Sequence, residues 1–283
     1  MSSSTRLPVA RLARLLAYVV AALGLAMLVA CFSFGWLVDR EAIRDPGLHS
    51  PSVGQPAFIV RVNAVTDMPV YSVGNIEIGC VVLFPGQHGL SGEFESHLAP
   101  LLASRGVSAF TATYASSPNG QRLSLAQAEA YAVEVIDQVE RRCGHKYVVV
   151  GRSLGSMVAA YAVRDHHPAA LLLEDASPSL ASAIRSVLRP SLGSSLIDSI
   201  PIERLLTTNY NFWDALGTER RFPVTLIQGT RDLQTPISAL SEPRAVQSWV
   251  EIVPVKDAGH EDTWQAFMPQ YTDRIVGALN SAH

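Results

Sequence analysis

Residues 15–38 run for 24 positions without an acid or a base, Tyr18 aside, and a soluble fold does not readily absorb such a stretch. At about 1.5 Å per residue, a helix of that length spans roughly 36 Å, enough to cross the hydrocarbon core of a bilayer. Arg6, Arg11 and Arg14 precede it with no acid among residues 1–14, whereas Asp39, Arg40, Glu41, Arg44 and Asp45 nearly cancel after it. The positive-inside rule therefore expects residues 1–14 in the cytoplasm, a transmembrane signal-anchor helix over 15–38, and everything beyond Arg40 on the extracytoplasmic side. Two other readings of the segment stay open. A cleaved secretory signal fits its first half, but the apolar run continues through Phe32, Phe34, Trp36 and Leu37. A lipobox is the other, since Leu28-Val29-Ala30-Cys31 places small residues before a cysteine, although apolar residues follow it. All three export the rest of the chain.

Residues 39–55 carry Pro46, Gly47, Pro51 and Gly54 without apolar periodicity and read as a tether, so the folded domain is expected over residues 56–283. With 48% apolar and 17% charged residues, disorder as the main state is excluded. Residues 1–55 hold five arginines against three acids, so the domain is more acidic than the whole-chain charge of -3. A nucleic-acid partner, which needs a clustered basic face, is not expected. Cys31, Cys80 and Cys143 are too few and too scattered for a four-ligand zinc site or a disulfide scaffold. Neither a metal nor an organic cofactor is expected.

Eight β-branched and aromatic runs, at 57–65, 70–73, 80–84, 107–114, 147–150, 170–173, 224–228 and 250–255, are separated by helix-length stretches. Near-continuous apolar strands alternating with helices imply an α/β domain, a mostly parallel eight-stranded sheet covered on both faces. The helix between Ser124 and Arg142 is the clearest. Ser124 and Gln127 make a capping-box pattern, Leu125, Ala128, Ala132, Val135 and Val139 recur at helical spacing, and Gly144 follows two arginines.

Chemistry enters where the apolar run Val148-Val149-Val150 meets Gly151-Arg152-Ser153-Leu154-Gly155 and then a helical stretch. Gly-x-Ser-x-Gly alone is a weak signal. At a strand-to-helix turn it gains meaning, because small residues two before and two after let the chain pass a crowded serine and lift its hydroxyl above the sheet. Ser153 is the candidate nucleophile. A base and an orienting acid must follow. Asp232 in Gly229-Thr230-Arg231-Asp232 and His260 in Asp257-Ala258-Gly259-His260 both come after strands, at the carboxyl edge where ligands bind in open α/β sheets. Asp175 is the rival acid. For the oxyanion, the backbone N–H of Leu154 is one expected donor, and Gln87 in Pro85-Gly86-Gln87-His88-Gly89 the second, with His88 as its alternative.

Gly86-Gln87, the Gly151–Gly155 elbow, Gly229-Thr230-Arg231-Asp232 and Gly259-His260-Glu261-Asp262-Thr263-Trp264 resemble the α/β-hydrolase superfamily. Within it they are similar to the branch of serine hydrolases tethered by one N-terminal transmembrane helix. The resemblance implies the α/β-hydrolase fold and hydrolysis of acyl esters or thioesters, sometimes lipid-borne, with Ser153, Asp232 and His260 as triad. The chain departs from that branch at Pro85-Gly86 and over residues 113–118, neither of which supplies a triad residue. A peptidase of the same fold and a catalytically silent binding protein are the alternative functions.

Residues 177–221, with Pro178, Pro190 and Pro201 between short apolar groups, are expected to form a small cap over the pocket, with ordinary surface packing as the alternative. Arg152 is either a partner for an anionic substrate group or a hydrogen-bonded structural side chain. His166 and His167 read as helix-end residues. Cys80 and Cys143 are expected at the starts of the third and fifth strands, which are neighbours in this fold, and export would allow their oxidation, but two buried thiols are expected over a disulfide.

Overall fold

The computed structural model describes residues 9–43, 55–64, 66–87, 92–116, 121–217, 219, 221–240 and 249–282. An eight-stranded sheet is built from β1 (Gln55–Arg61), β2 (Asp67–Val73), β3 (Gly79–Phe84), β4 (Val107–Thr111), β7 (Tyr147–Arg152), β8 (Ala170–Glu174), β9 (Val224–Gly229) and β10 (Glu251–Val255). Its order is β1-β2-β4-β3-β7-β8-β9-β10. Only the two pairings of β2 are antiparallel; those from β4 to β10 are parallel. The eight strand-like runs in the sequence correspond to these eight strands. The first stops at Arg61, four residues short of the expected end, where Val62 N–H bonds to Thr66 in a turn. A two-residue hairpin, β5 (Ala115–Ser116) with β6 (Gln121–Arg122), carries no periodic signal and was not anticipated.

The strands are apolar on both faces because both are covered. In β3, Val81 and Leu83 pack with α2 (Glu93–Ala103) and the C-terminal helix, while Cys80, Val82 and Phe84 pack with α3 (Leu125–Cys143) and α4 (Leu154–Ala162) on the other face. Period-2 alternation therefore feeds two cores from one strand. The expected helix is α3. Ser124 Oγ accepts from Gln127 N–H and the Gln127 side chain accepts from Ser124 N–H, closing the capping box. His166 follows α4 and is held by Glu140 at 3.0 Å, a structural pairing.

Cys80 and Cys143 form a disulfide, with Cα atoms 6.2 Å apart. Buried thiols were expected instead; the difference arises because Cys143 ends α3 rather than starting a strand, and so turns toward the first residues of β3. Between β8 and β9 the chain forms α5 (Leu180–Leu192), α6 (Ser194–Ser199), α7 (Ile202–Leu205) and α8 (Phe212–Leu216), all within residues 177–221.

The apolar N-terminal run lies in α1 (Val9–Glu41), whose segment from Ala17 to Glu41 is long and apolar enough to cross a membrane. Tyr18, Leu23, Leu25, Met27 and Phe32 stand more than half exposed. The helix passes the expected end at Val38, and residues 39–43 are not free tether. Asp39 Oδ1 accepts from Ala126 N–H at 3.0 Å, filling one of the donors that the N-terminus of α3 leaves unpaired. Arg122 bonds the Glu41 carboxylate and the Ile43 carbonyl, and Ile43 is fully buried.

Candidate active site

Ser153 sits where the apolar strand β7 turns into α4, with φ 52° and ψ −119°. A non-glycine residue at positive φ is strained, and such strain persists only where the surroundings over-determine it. Two glycines make the turn possible. A Cβ on Gly151 would stand 2.8 Å from Ser156 Cα, and one on Gly155 would stand 2.8 Å from the Phe84 carbonyl carbon. Strand, turn and the loop after β3 thus touch backbone to backbone, and the serine side chain is left facing outward.

The loop after β10 brings His260 to this hydroxyl. Ser153 Oγ lies 3.0 Å from His260 Nε2, and His260 Nδ1 lies 2.8 Å from Asp232 Oδ2. The network assigns the proton of the neutral ring to Nδ1, donating to the carboxylate, so that Nε2 accepts from the serine. Asp232 is almost fully buried. Its Oδ1 takes the backbone N–H groups of Gln234 (2.8 Å) and Thr235 (2.9 Å), and its Oδ2 takes the Thr235 hydroxyl and Gln228 Nε2. Burial alone would raise this carboxyl, but the His260 contact and the Thr235 donors outweigh it and hold it below the usual aspartate value.

Asp175, the rival acid, points elsewhere. Its Oδ1 accepts from Gly229 N–H at 3.2 Å and from the Thr263 hydroxyl at 3.1 Å. Burial, followed by the charges of Glu174 and Asp232, pushes its pKa up, which favours the neutral acid. Asp175, Asp232 and His260 offer ligand atoms within 4.8 Å of one another. Those of Asp232 and His260 are already engaged in the relay, and Asp175 favours its proton, so this set fits a proton relay better than a cation cage.

Arg152 is held on several sides. Its Nε donates to Glu174 at 3.1 Å, and its Nη2 donates to the His260 carbonyl at 3.1 Å and reaches Glu261 at 3.3 Å. Glu174 is fully buried at the end of β8 and also accepts from the Tyr271 hydroxyl. The guanidinium therefore ties the loop carrying His260 to the sheet edge beside Ser153. Sequence reasoning named neither Glu174 nor Tyr271, although an acid closing the apolar run Ala170-Leu171-Leu172-Leu173 was a visible sign that something basic must meet it.

Leu154 opens α4, so its N–H is among the donors that have no partner inside the helix. Gln87 lines the same cavity as Ser153, and Gly86 lies so near that a Cβ there would be 3.5 Å from Ser153 Cβ. His88 is outside the described residues.

The cavity over Ser153 and His260 holds about 400 Å³, within the range of small-molecule pockets. It is lined by Leu154 and Met157 of α4, by Leu180, Ile184, Val187 and Leu188 of α5, and by Phe34, Leu37, Val38 and Glu41 of α1. Ser177, Gln234 and Thr235 add polar groups to the lining, and the Thr235 hydroxyl lies 3.5 Å from His260 Nδ1.

No protein-family model matches the chain, and no curated protein matches it in sequence. Solved structures do match. A monoacylglycerol lipase of Paleococcus ferrophilus aligns with a TM-score of 0.53 and 20% identity over 75% of this chain and 100% of its own. A thermophilic esterase of the planctomycete Thermogutta terrifontis with propionate bound gives 0.58 and 17% over 78% and 94%. An alpha-beta serine hydrolase homologue from Coxiella burnetii gives 0.53 and 16% over 82% and 100%. The chain has the α/β-hydrolase fold.

Proposed function

We propose that this chain is a serine hydrolase of carboxylic esters or thioesters, anchored by α1 with its domain on the extracytoplasmic side. The observation that carries this is the continuous line from Ser153 through His260 to Asp232, opening on a mostly apolar cavity. The esterase and lipase names of the structural neighbours agree with it. Three features support the location: the arginines before the apolar run, the uncovered surface of α1, and a disulfide, which persists in oxidising compartments.

His260 Nε2 takes the Ser153 proton as Oγ attacks the acyl carbon, and the carbonyl electron pair moves onto oxygen. The N–H of Leu154 and the loop at Gln87 receive that oxyanion, while Asp232 steadies the imidazolium. Collapse expels the alcohol or thiol, protonated by His260, and leaves an acyl group on Ser153. Water, deprotonated by the same imidazole, releases the acid and restores the serine.

A fluorophosphonate should label Ser153 stoichiometrically, and Ser153→Ala should abolish both labelling and 4-nitrophenyl butyrate hydrolysis in a chain that still melts cooperatively. Turnover by purified Ser153→Ala would refute the assignment. Hydrolysis of aminoacyl amides in preference to esters would favour a peptidase.

A further inference from the structure

We infer that the end of α1 is the acyl-chain wall of the active site, and that the ester reaching Ser153 is a lipid resident in the bilayer that α1 crosses; this rests on the hydrolase reading above. Phe34, Leu37 and Val38 share one cavity with Ser153 and His260. The wall is fixed in place. Asp39 bonds the first turn of α3, and Arg122 bonds Glu41. At Gly35 the helix lies directly against the backbone after α7, where an added Cβ would stand 2.5 Å from the Leu205 carbonyl oxygen and 2.9 Å from Thr207 N.

The cavity is mostly apolar in its lining, and the charged member on α1, Glu41, is paired with Arg122. Leu37 and Val187 both line it and are yet 52% and 56% exposed, so its rim opens outward between α1 and α5. Leu192 and Leu196 continue the exposed apolar surface from α5 into α6. Height fits as well. The apolar segment runs from Ala17 to Glu41, and the cavity-lining Phe34, Leu37 and Val38 lie in its last two turns, at the end of the span. Trp36, stacked under Arg40 at 5.1 Å, sits at the level where tryptophan gathers at membrane interfaces. A chain leaving the bilayer there can slide between α1 and α5 toward Ser153 without passing through water, while the polar end of the ester meets Gln234 and Thr235.

The test uses the full chain in phosphatidylcholine proteoliposomes. The unmodified protein should favour 4-nitrophenyl dodecanoate over the butyrate by at least about tenfold in kcat/KM. Leu37→Trp, which fills the mouth, and Gly35→Leu, which forces α1 off α7, should each cut that ratio about tenfold. Independently of any variant, a dodecyl fluorophosphonate carrying a diazirine at its chain end should label Ser153 and, on irradiation, cross-link within residues 34–41 of α1. Absence of Ser153 labelling overturns the hydrolase reading and this inference with it. Labelling with cross-links only outside α1, no preference for the longer ester, or a ratio within twofold of the unmodified value in both variants overturns the inference alone.

Discussion

Removing the Arg152 guanidinium tests the network behind the histidine loop. Glu174 has no exposed surface, and its carboxylate is balanced by Arg152 at 3.1 Å together with the Tyr271 hydroxyl. Arg152→Met leaves that charge buried without its cation, a situation that costs about 3–5 kcal/mol. The cost depends on pH. Burial already raises the Glu174 carboxyl, with Arg152 opposing, so in the variant it rises further. A carboxyl whose folded pKa lies above the unfolded one, about 4.3, penalises folding as pH climbs between the two, by at most about 1.4 kcal/mol per pH unit. Urea unfolding followed by tryptophan fluorescence should therefore show a larger loss at pH 8 than at pH 5. Arg152→Met with Glu174→Gln removes the stranded charge and should recover most of the stability. Both variants lack the bond to the His260 carbonyl, so both should turn over ester more slowly even where stability returns. A loss under about 1 kcal/mol at pH 8, or equal losses in the single and double variants, would refute the reasoning.

Asp232→Asn should lower kcat about 10³–10⁴-fold with little change in KM, because the imidazolium loses its counter-charge and the ring its preferred tautomer; steady-state kinetics decide this, and a drop under tenfold would contradict it. Gly155→Ala places a methyl group against the Phe84 carbonyl, so the chain should fail to take a fluorophosphonate label or to melt cooperatively. Cys143→Ser opens a bridge across 63 residues, which by loop entropy is about 4 kcal/mol and roughly 10 °C in Tm. A calorimetric shift under about 3 °C would mean that the unbridged chain retains the same constraint.

Much of the scaffold was legible because its signals are local. The alternation that splits β3 between two cores, the Ser124 and Gln127 box, and the glycines around Ser153 each report on a few neighbouring residues. What escaped reading depends on distant partners. Asp175 and Asp232 both follow strands at the same sheet edge, and only folding shows that the turn after Asp232 supplies Gln234 and Thr235 donors while Asp175 is turned toward Gly229 and Thr263. The role of Arg152 rests on Glu174, 22 residues on, and on His260, 108 residues on. The apolar run marked a helix long enough to cross a membrane but not that its last turns pack on the domain, since hydropathy carries no information about docking.

Helix α3 is pinned at both ends, by the Asp39 carboxylate at its first turn and by the Cys80 bridge at its last residue. Fraying, the usual route by which helix termini exchange amide protons, is closed at each end. Amides along Leu125–Cys143 should then exchange with solvent deuterium only when the whole domain opens, making this helix the slowest reporter of global unfolding in the chain.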